Sequence, residues 1–257
     1  MRYGGAGSRQ ERADRLRPLF AVQLAFAERL RALRGEDRAH GLIQYTNLHR
    51  RMGYGIPGRE ASAAGWHAFV TDALKARDKG ALLECTVRHF ALGTEERPLP
   101  GHSVFGCFSY TEPGQDGGVR IHFIDRESDP RGGALAAVNV ARRRGDLARM
   151  TRALRRAYPE ATHILGKSWL YNLQAYRRLF PAEYIATRTS VDADVHFQGG
   201  GCWGQLQTRA GVNEAACALL HTRLPQLDAL RPWRVFALVP QAVQAPLEVF
   251  EETYLEA

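Results

Sequence analysis

Four short stretches hold the residues whose types and spacing could do chemistry. The first is Gly166-Lys167-Ser168-Trp169-Leu170-Tyr171-Asn172, continued by Tyr176 and by Arg177-Arg178-Leu179-Phe180-Pro181. Ser168, Trp169, Asn172 and Tyr176 are candidates to line a substrate site. Loops at strand ends carry function more often than strands do, and Trp and Tyr join a large apolar surface to a polar tip. The bland alternative is structural: Trp169 and Leu170 in a core, Asn172 capping the next helix, Tyr176 and Phe180 on its buried face. The triplet Gly-Lys-Ser is not the tail of a P-loop. Such a loop needs a glycine five residues earlier and a nest of backbone amides before a helix. Ala161 stands at that position, and Thr162-His163-Ile164-Leu165 reads as a strand.

The second stretch is Asp125-Arg126-Glu127, at the end of a predicted strand. Either carboxylate can take a proton from an amine held beside it; the alternative is a solvated turn. The third is Gly199-Gly200-Gly201-Cys202-Trp203-Gly204-Gln205. Its glycines permit close backbone approach to a ligand or serve a turn or bulge, and Trp203 and Gln205 are further substrate-contact candidates. The fourth is Arg142 to Arg156, with seven arginines against one aspartate. A basic helix can meet phosphates, in a cofactor or in nucleic acid, or can be a solvated face.

Other chemistries lack support. His122 and His163 fall on predicted strands, HExxH is absent, and no metal is expected. Cys85, Cys107, Cys202 and Cys217 form no CxxC pair and read as reduced thiols. Ser168 sits in no GxSxG elbow. No run approaches the roughly 20 apolar residues of a membrane span, and Leu19 to Ala27 continues into a charged amphipathic helix. A cytoplasmic protein with no membrane association is expected. The net charge of +8 comes from 32 Arg and 3 Lys, a bias of composition that says less than its distribution.

Apolar spacing predicts helices over 10–34 and 66–75, with a loop-rich stretch between and an ambiguous apolar segment at 81–91. Residues 1–9 are Gly-rich and read as disordered. Ser103–Tyr110 and Val119–Asp125 read as two strands of a hairpin, joined through Thr111-Glu112-Pro113-Gly114-Gln115-Asp116-Gly117-Gly118. There follow a helix over 146–158, a strand at 161–166, a helix at 173–180, a strand at 183–191, a helix at 213–224, a strand at 233–239 and a helix at 245–255. The expected fold is α/β or α+β, a mixed central sheet flanked by helices. A helical N-terminal segment, 1–95, precedes one α/β domain, 96–257.

In the order of these elements, Gly118 to Val191 resembles the core of the GNAT acyltransferase superfamily. GKSWLYN…YRRLFP with the downstream CWGQL is similar to a group of bacterial proteins of unassigned function and to GNAT-like C-terminal domains. The family's pyrophosphate motif, Arg/Gln-x-x-Gly-x-Gly/Ala, has its nearest match at Arg142-Arg143-Arg144-Gly145-Asp146-Leu147, where Leu147 replaces the final small residue. The resemblance implies an acyl-CoA held by Arg142, Arg143, Arg144 and Gly145. It implies a small-molecule or peptide amine acylated near Ser168–Asn172, with Tyr171 protonating the leaving thiolate and Glu127 or Asp125 taking the amine proton. Two alternatives stand beside it. One is a non-catalytic binding protein on a degenerate GNAT-like scaffold, its basic helix docking an acidic partner. The other is a phosphate- or nucleic-acid-binding protein using helix 142–156.

Overall fold

The computed structural model describes residues 8–55, 57, 64–94, 104–127, 132–192, 195–208 and 211–256. Residues 1–7 and the expected boundary at 95/96 lie outside the described residues. The chain divides into two compact units. One holds Tyr3–Pro98 and Asp192–Val239, the other Leu99–Val191 and Pro240–Ala257. The stretch 192–239, placed by sequence in the α/β domain, thus groups with the N-terminal helices.

The helical unit opens with α1 (Arg9–Arg15), capped by the Ser8 hydroxyl and Glu11 in a reciprocal capping box. Next come α2 (Arg17–Arg34), α3 (Arg38–Gln44), α4 (Leu48–Arg51), α5 (Ala64–Lys75) and α6 (Lys79–Leu92). The stretch read as loop-rich therefore contains two short helices, and the ambiguous segment 81–91 is helical. The core of this unit is a continuous apolar cluster built on Leu19, Phe20, Phe26 and Leu30 of α2.

The α/β unit begins with β1 (Val104–Phe105) and β2 (Phe108–Tyr110). They are two strands where the sequence predicts one, because Gly106 turns the chain with φ +60°. A Cβ on that glycine would run into the Asp146 carboxylate. Then follow β3 (Gly118–Phe123), α7 (Val140–Ala157), β4 (His163–Ser168), a 3-10 turn (Trp169–Asn172), α8 (Gln174–Arg177), α9 (Ala182–Ala186) and β5 (Thr189–Ser190). The strand predicted at 183–191 opens instead as helix α9, whose first turn Glu183 favours, and is strand only at Thr189–Ser190.

The chain then adds β6 (Gln207–Thr208), β7 (Gly211–Val212) and α10 (Glu214–Arg223) to the helical unit. The strand predicted at 233–239 is instead a 3-10 turn, Pro232–Val235, followed by bends. The last elements, β8 (Gln241–Pro246) and α11 (Leu247–Tyr254), belong to the α/β unit. The predicted helix at 245–255 starts two residues later than expected.

Among the described residues, one sheet has the order β1-β2-β3-β4-β8-β5. Only β3 and β4 are parallel, joined through α7. All the other pairings are antiparallel. Alternation along the strands places Val119, Ile121, Ile164, Val243 and Ala245 on one face, where they meet Leu147, Met150 and Leu154 of α7 and Phe250 of α11. This is the mixed, helix-flanked α/β sheet expected from the sequence. No helix among the described residues is long and apolar enough to cross a membrane.

Candidate functional site

The distinctive feature of the sheet lies between its two parallel strands. The β3–β4 ladder covers Gly118–His163, Val119–Ile164 and Arg120–Leu165. Beyond Arg120, β3 continues to Phe123 while still paired to β2, through Ile121–Tyr110, His122–Ser109 and Phe123–Phe108. Beyond Leu165, β4 continues to Ser168 while still paired to β8, through Gly166–Val243, Lys167–Ala242 and Ser168–Gln241. Each strand keeps its outer neighbour and leaves its inner one, so the sheet splits at the carboxyl ends of β3 and β4. Ligands of α/β sheets bind at such carboxyl-end crevices.

Residues 132–139 lead into α7, the helix that joins β3 to β4. Gly132-Gly133-Ala134-Leu135-Ala136-Ala137 carries small residues almost throughout. It is fixed by Ala136 N–H donating to Gly133 O (2.9 Å) and Asn139 N–H to Ala136 O (3.0 Å). The Asn139 side-chain amide also donates to Gly133 O, at 3.0 Å. Arg178 donates to Leu135 O at 2.6 Å. A 3-10 turn, Ala137–Asn139, leads directly into α7. The amino end of an 18-residue helix therefore follows β3, with the exposed Arg144 guanidinium four residues inside. Such an end favours an anion.

This corrects the expected cofactor motif. Arg142-Arg143-Arg144-Gly145 lies within α7, not in the loop before it. Arg143 is 3% exposed. Its guanidinium contacts the Cys107 thiol, Glu127 (3.4 Å) and Asp146 (3.1 Å). Arg142 donates to Glu127 (3.0 Å) and to Asn139 Oδ1 (3.1 Å). Gly145 is a helical residue where a Cβ would meet only Arg149 Nη1, at an ordinary 3.8 Å contact. The loop 132–139 was missed because its small residues form no complete family motif. The legible signal was their clustering immediately before a helix.

The other predicted residues divide sharply. Tyr171 is 1% exposed, and its hydroxyl shares a 2.8 Å hydrogen bond with that of Tyr184. Its ring packs on Tyr176 and Phe180. Burial raises the Tyr171 phenol well above its ordinary range, and the Tyr184 hydroxyl adds to the rise. A group held this way is a poor proton donor to a thiolate. Tyr176 is equally a core residue, raised chiefly by burial. Glu127 is ion-paired with Arg142 and Arg143, so its carboxylate is engaged within the fold. Asp125 is half-buried and accepts the Glu127 N–H at 3.0 Å.

Ser168 and Trp169 are half-buried at the carboxyl end of β4. The Ser168 hydroxyl accepts the Leu170 N–H at 3.1 Å. The Asn172 side chain donates to Trp169 O at 2.8 Å, and Leu173 rather than Asn172 is the cap residue of α8. Gly166-Lys167-Ser168 lies on β4 with its backbone paired to β8, which confirms the absence of a P-loop. Trp203 and Gln205 belong to the core of the helical unit. Trp203 is fully buried and donates to Phe197 O at 2.8 Å. Gln205 exchanges two hydrogen bonds with the Leu238 backbone. Both are satisfied structural residues.

No protein-family model, curated protein or solved structure matches the chain. The β2–β3 loop borders an open hollow of about 450 Å³, lined by Glu112, Asp116, Tyr158, Glu160 and Thr162 among others. Its three carboxylates disfavour a phosphorylated cofactor. Among the described residues, no group of His, Cys, Asp and Glu is arranged to hold a metal ion.

Proposed function

We propose that this protein is an acyl-CoA-dependent N-acyltransferase acting on an amine. The observation that carries it is the parting of β3 and β4 after the Arg120–Leu165 pair. Backbone groups facing such a gap gain from an extended partner that supplies amides, as an added strand would. A pantetheine arm has two amides and the length of a short strand. The pyrophosphate at its end would meet the amino end of α7 and the loop 132–139, with Arg144 and Arg178 as nearby positive charges. The thioester would then lie in the opening, between His122 of β3 and the half-buried Ser168 and Trp169 of β4.

In that arrangement the amine nitrogen attacks the thioester carbonyl, the C–N bond forms and the C–S bond breaks. His122 is placed to take the amine proton, since an imidazole is an effective base near neutrality. The CoA thiolate leaves and takes a proton from solvent.

A non-catalytic binding protein on the same scaffold is the second reading, favoured by the burial of Tyr171 and the ion pairs of Glu127. Calorimetric titration with CoA and acetyl-CoA tests the first. Micromolar binding of both, weakened at least tenfold by Ala136→Glu at the mouth of α7, is expected. Absence of binding at millimolar ligand overturns it. Binding without release of thiol from acetyl-CoA, with any amine supplied, favours the second reading.

A further inference from the structure

The face of the sheet opposite α7 carries a charge pattern of one sign at the split. Val119 and Ile121 point to the helix side, so Arg120 and His122 point to the other. Ile164 and Gly166 likewise leave His163, Leu165 and Lys167 on that other face. The cross-strand pairs Ser109–His122, Arg120–Leu165, Leu165–Gln244 and Lys167–Ala242 extend it over β2, β3, β4 and β8. Its ionisable strand residues are Arg120, His122, His163 and Lys167, and no Asp or Glu of β1–β5 or β8 lies on it.

The positions matter as much as the sign. Arg120 belongs to the last β3–β4 rung. His122 and Lys167 are the first residues on this face beyond it, one on each side of the opening. Successive residues on one face of a strand stand about 6.6 Å apart. All three side chains therefore reach a small molecule held at the gap. Arg120 is exposed, and it has no ion pair among the described residues. A long, exposed guanidinium beside a reaction site suits a carboxylate or phosphate, which it can grip with two parallel hydrogen bonds.

We infer that the acceptor is an anionic amine, a small molecule bearing both a primary amine and a carboxylate or phosphate. Its anionic group sits on Arg120 and Lys167, and its nitrogen points into the opening beside His122. This inference rests on the acyl-CoA reading. The four basic residues would favour such an acceptor, because a neutral amine gains nothing from that face and a purely cationic one is repelled by it.

The test uses the full chain with acetyl-CoA as donor and thiol release as readout. Acceptors come in pairs that differ in the anionic group: L-phenylalanine against 2-phenylethylamine, and O-phosphoethanolamine against ethanolamine. The expected result is a kcat/KM at least about tenfold higher for one or both anionic members, the size of a lost charge-assisted contact. Which pair shows the preference separates carboxylate from phosphate. Arg120→Gln, on an exposed position that does not endanger folding, should raise KM for the preferred acceptor about tenfold while CoA affinity by calorimetry stays within twofold. His122→Gln should lower kcat. Equal or faster reaction of the amines that lack the anionic group overturns the inference and leaves acyl transfer standing. So does thiol release with neither anionic acceptor while CoA binds. An Arg120→Gln variant that loses CoA affinity assigns this face to the cofactor and overturns it too. Failure of CoA to bind wild type overturns the acyl-CoA reading itself.

Discussion

The hydroxyls of Tyr171 and Tyr184 meet inside the core of the α/β unit, and both press on the backbone of Gly166. A Cβ at Gly166 would collide with both hydroxyl oxygens, so the glycine is needed for close approach rather than for phosphate binding. Tyr171 therefore acts through packing. Tyr171→Phe should cost about 1 kcal/mol of stability, the net worth of one buried hydrogen bond, and leave kcat for acyl transfer within about twofold. Urea denaturation and thiol release measure the two effects. A fall in kcat of a hundredfold with unchanged stability would restore Tyr171 as the proton donor. Nothing in the sequence distinguishes a core tyrosine from a catalytic one at this position. The distinction is made by Tyr184, thirteen residues away and on another helix.

At the scale of elements, α7 is held to α11 by Arg155, whose Nε and Nη2 donate to the two Glu251 oxygens at 2.7 Å each. Hydrogen bonding from Arg155 holds the Glu251 carboxyl below its ordinary range despite partial burial. A depressed folded-state pKa gives stability that is present above the ordinary carboxylate range and lost as pH falls through the folded value. Wild type should thus lose more melting temperature than Glu251→Gln between about pH 5 and pH 3. Above that range the variant should be less stable by about 0.5 kcal/mol, the size of a solvent-screened ion pair. Parallel melting curves would show that the clasp contributes nothing. The clear elements of this unit were legible where side chains alternate, as in Val119–Phe123, or recur at helical spacing, as in Leu147, Met150 and Leu154. Others were not. Gln241-Ala242-Val243-Gln244-Ala245-Pro246 has one β-branched residue and becomes a strand through its partner β4. Thr189 and Ser190, within the predicted strand 183–191, do form a strand, paired to β8, while the apolar Tyr184-Ile185 before them is helical.

At the scale of the molecule, the seven arginines of α7 are not a uniform docking face. Arg142, Arg143, Arg149 and Arg155 pair with Glu127, Asp146, Glu248 and Glu251 within the α/β unit. Arg144, Arg152 and Arg156 remain on the surface. Three phosphate contacts give a salt slope near −3 at most, with weak binding. Fluorescence anisotropy with a duplex DNA or RNA at 150 mM salt should detect none below about 10 μM. Submicromolar binding with a steeper slope would revive the nucleic-acid reading. The division of the chain was illegible in the sequence for a topological reason. The α/β unit is discontinuous, and β8, which pairs with six residues of β4, returns only after 192–239.

The most direct test of the central claim is amide hydrogen exchange with and without CoA. The account predicts slowed exchange at 121–123, 132–141 and 166–172, the opening between β3 and β4 and the amino end of α7. Unchanged exchange there at saturating CoA, or protection confined to other segments, would contradict it.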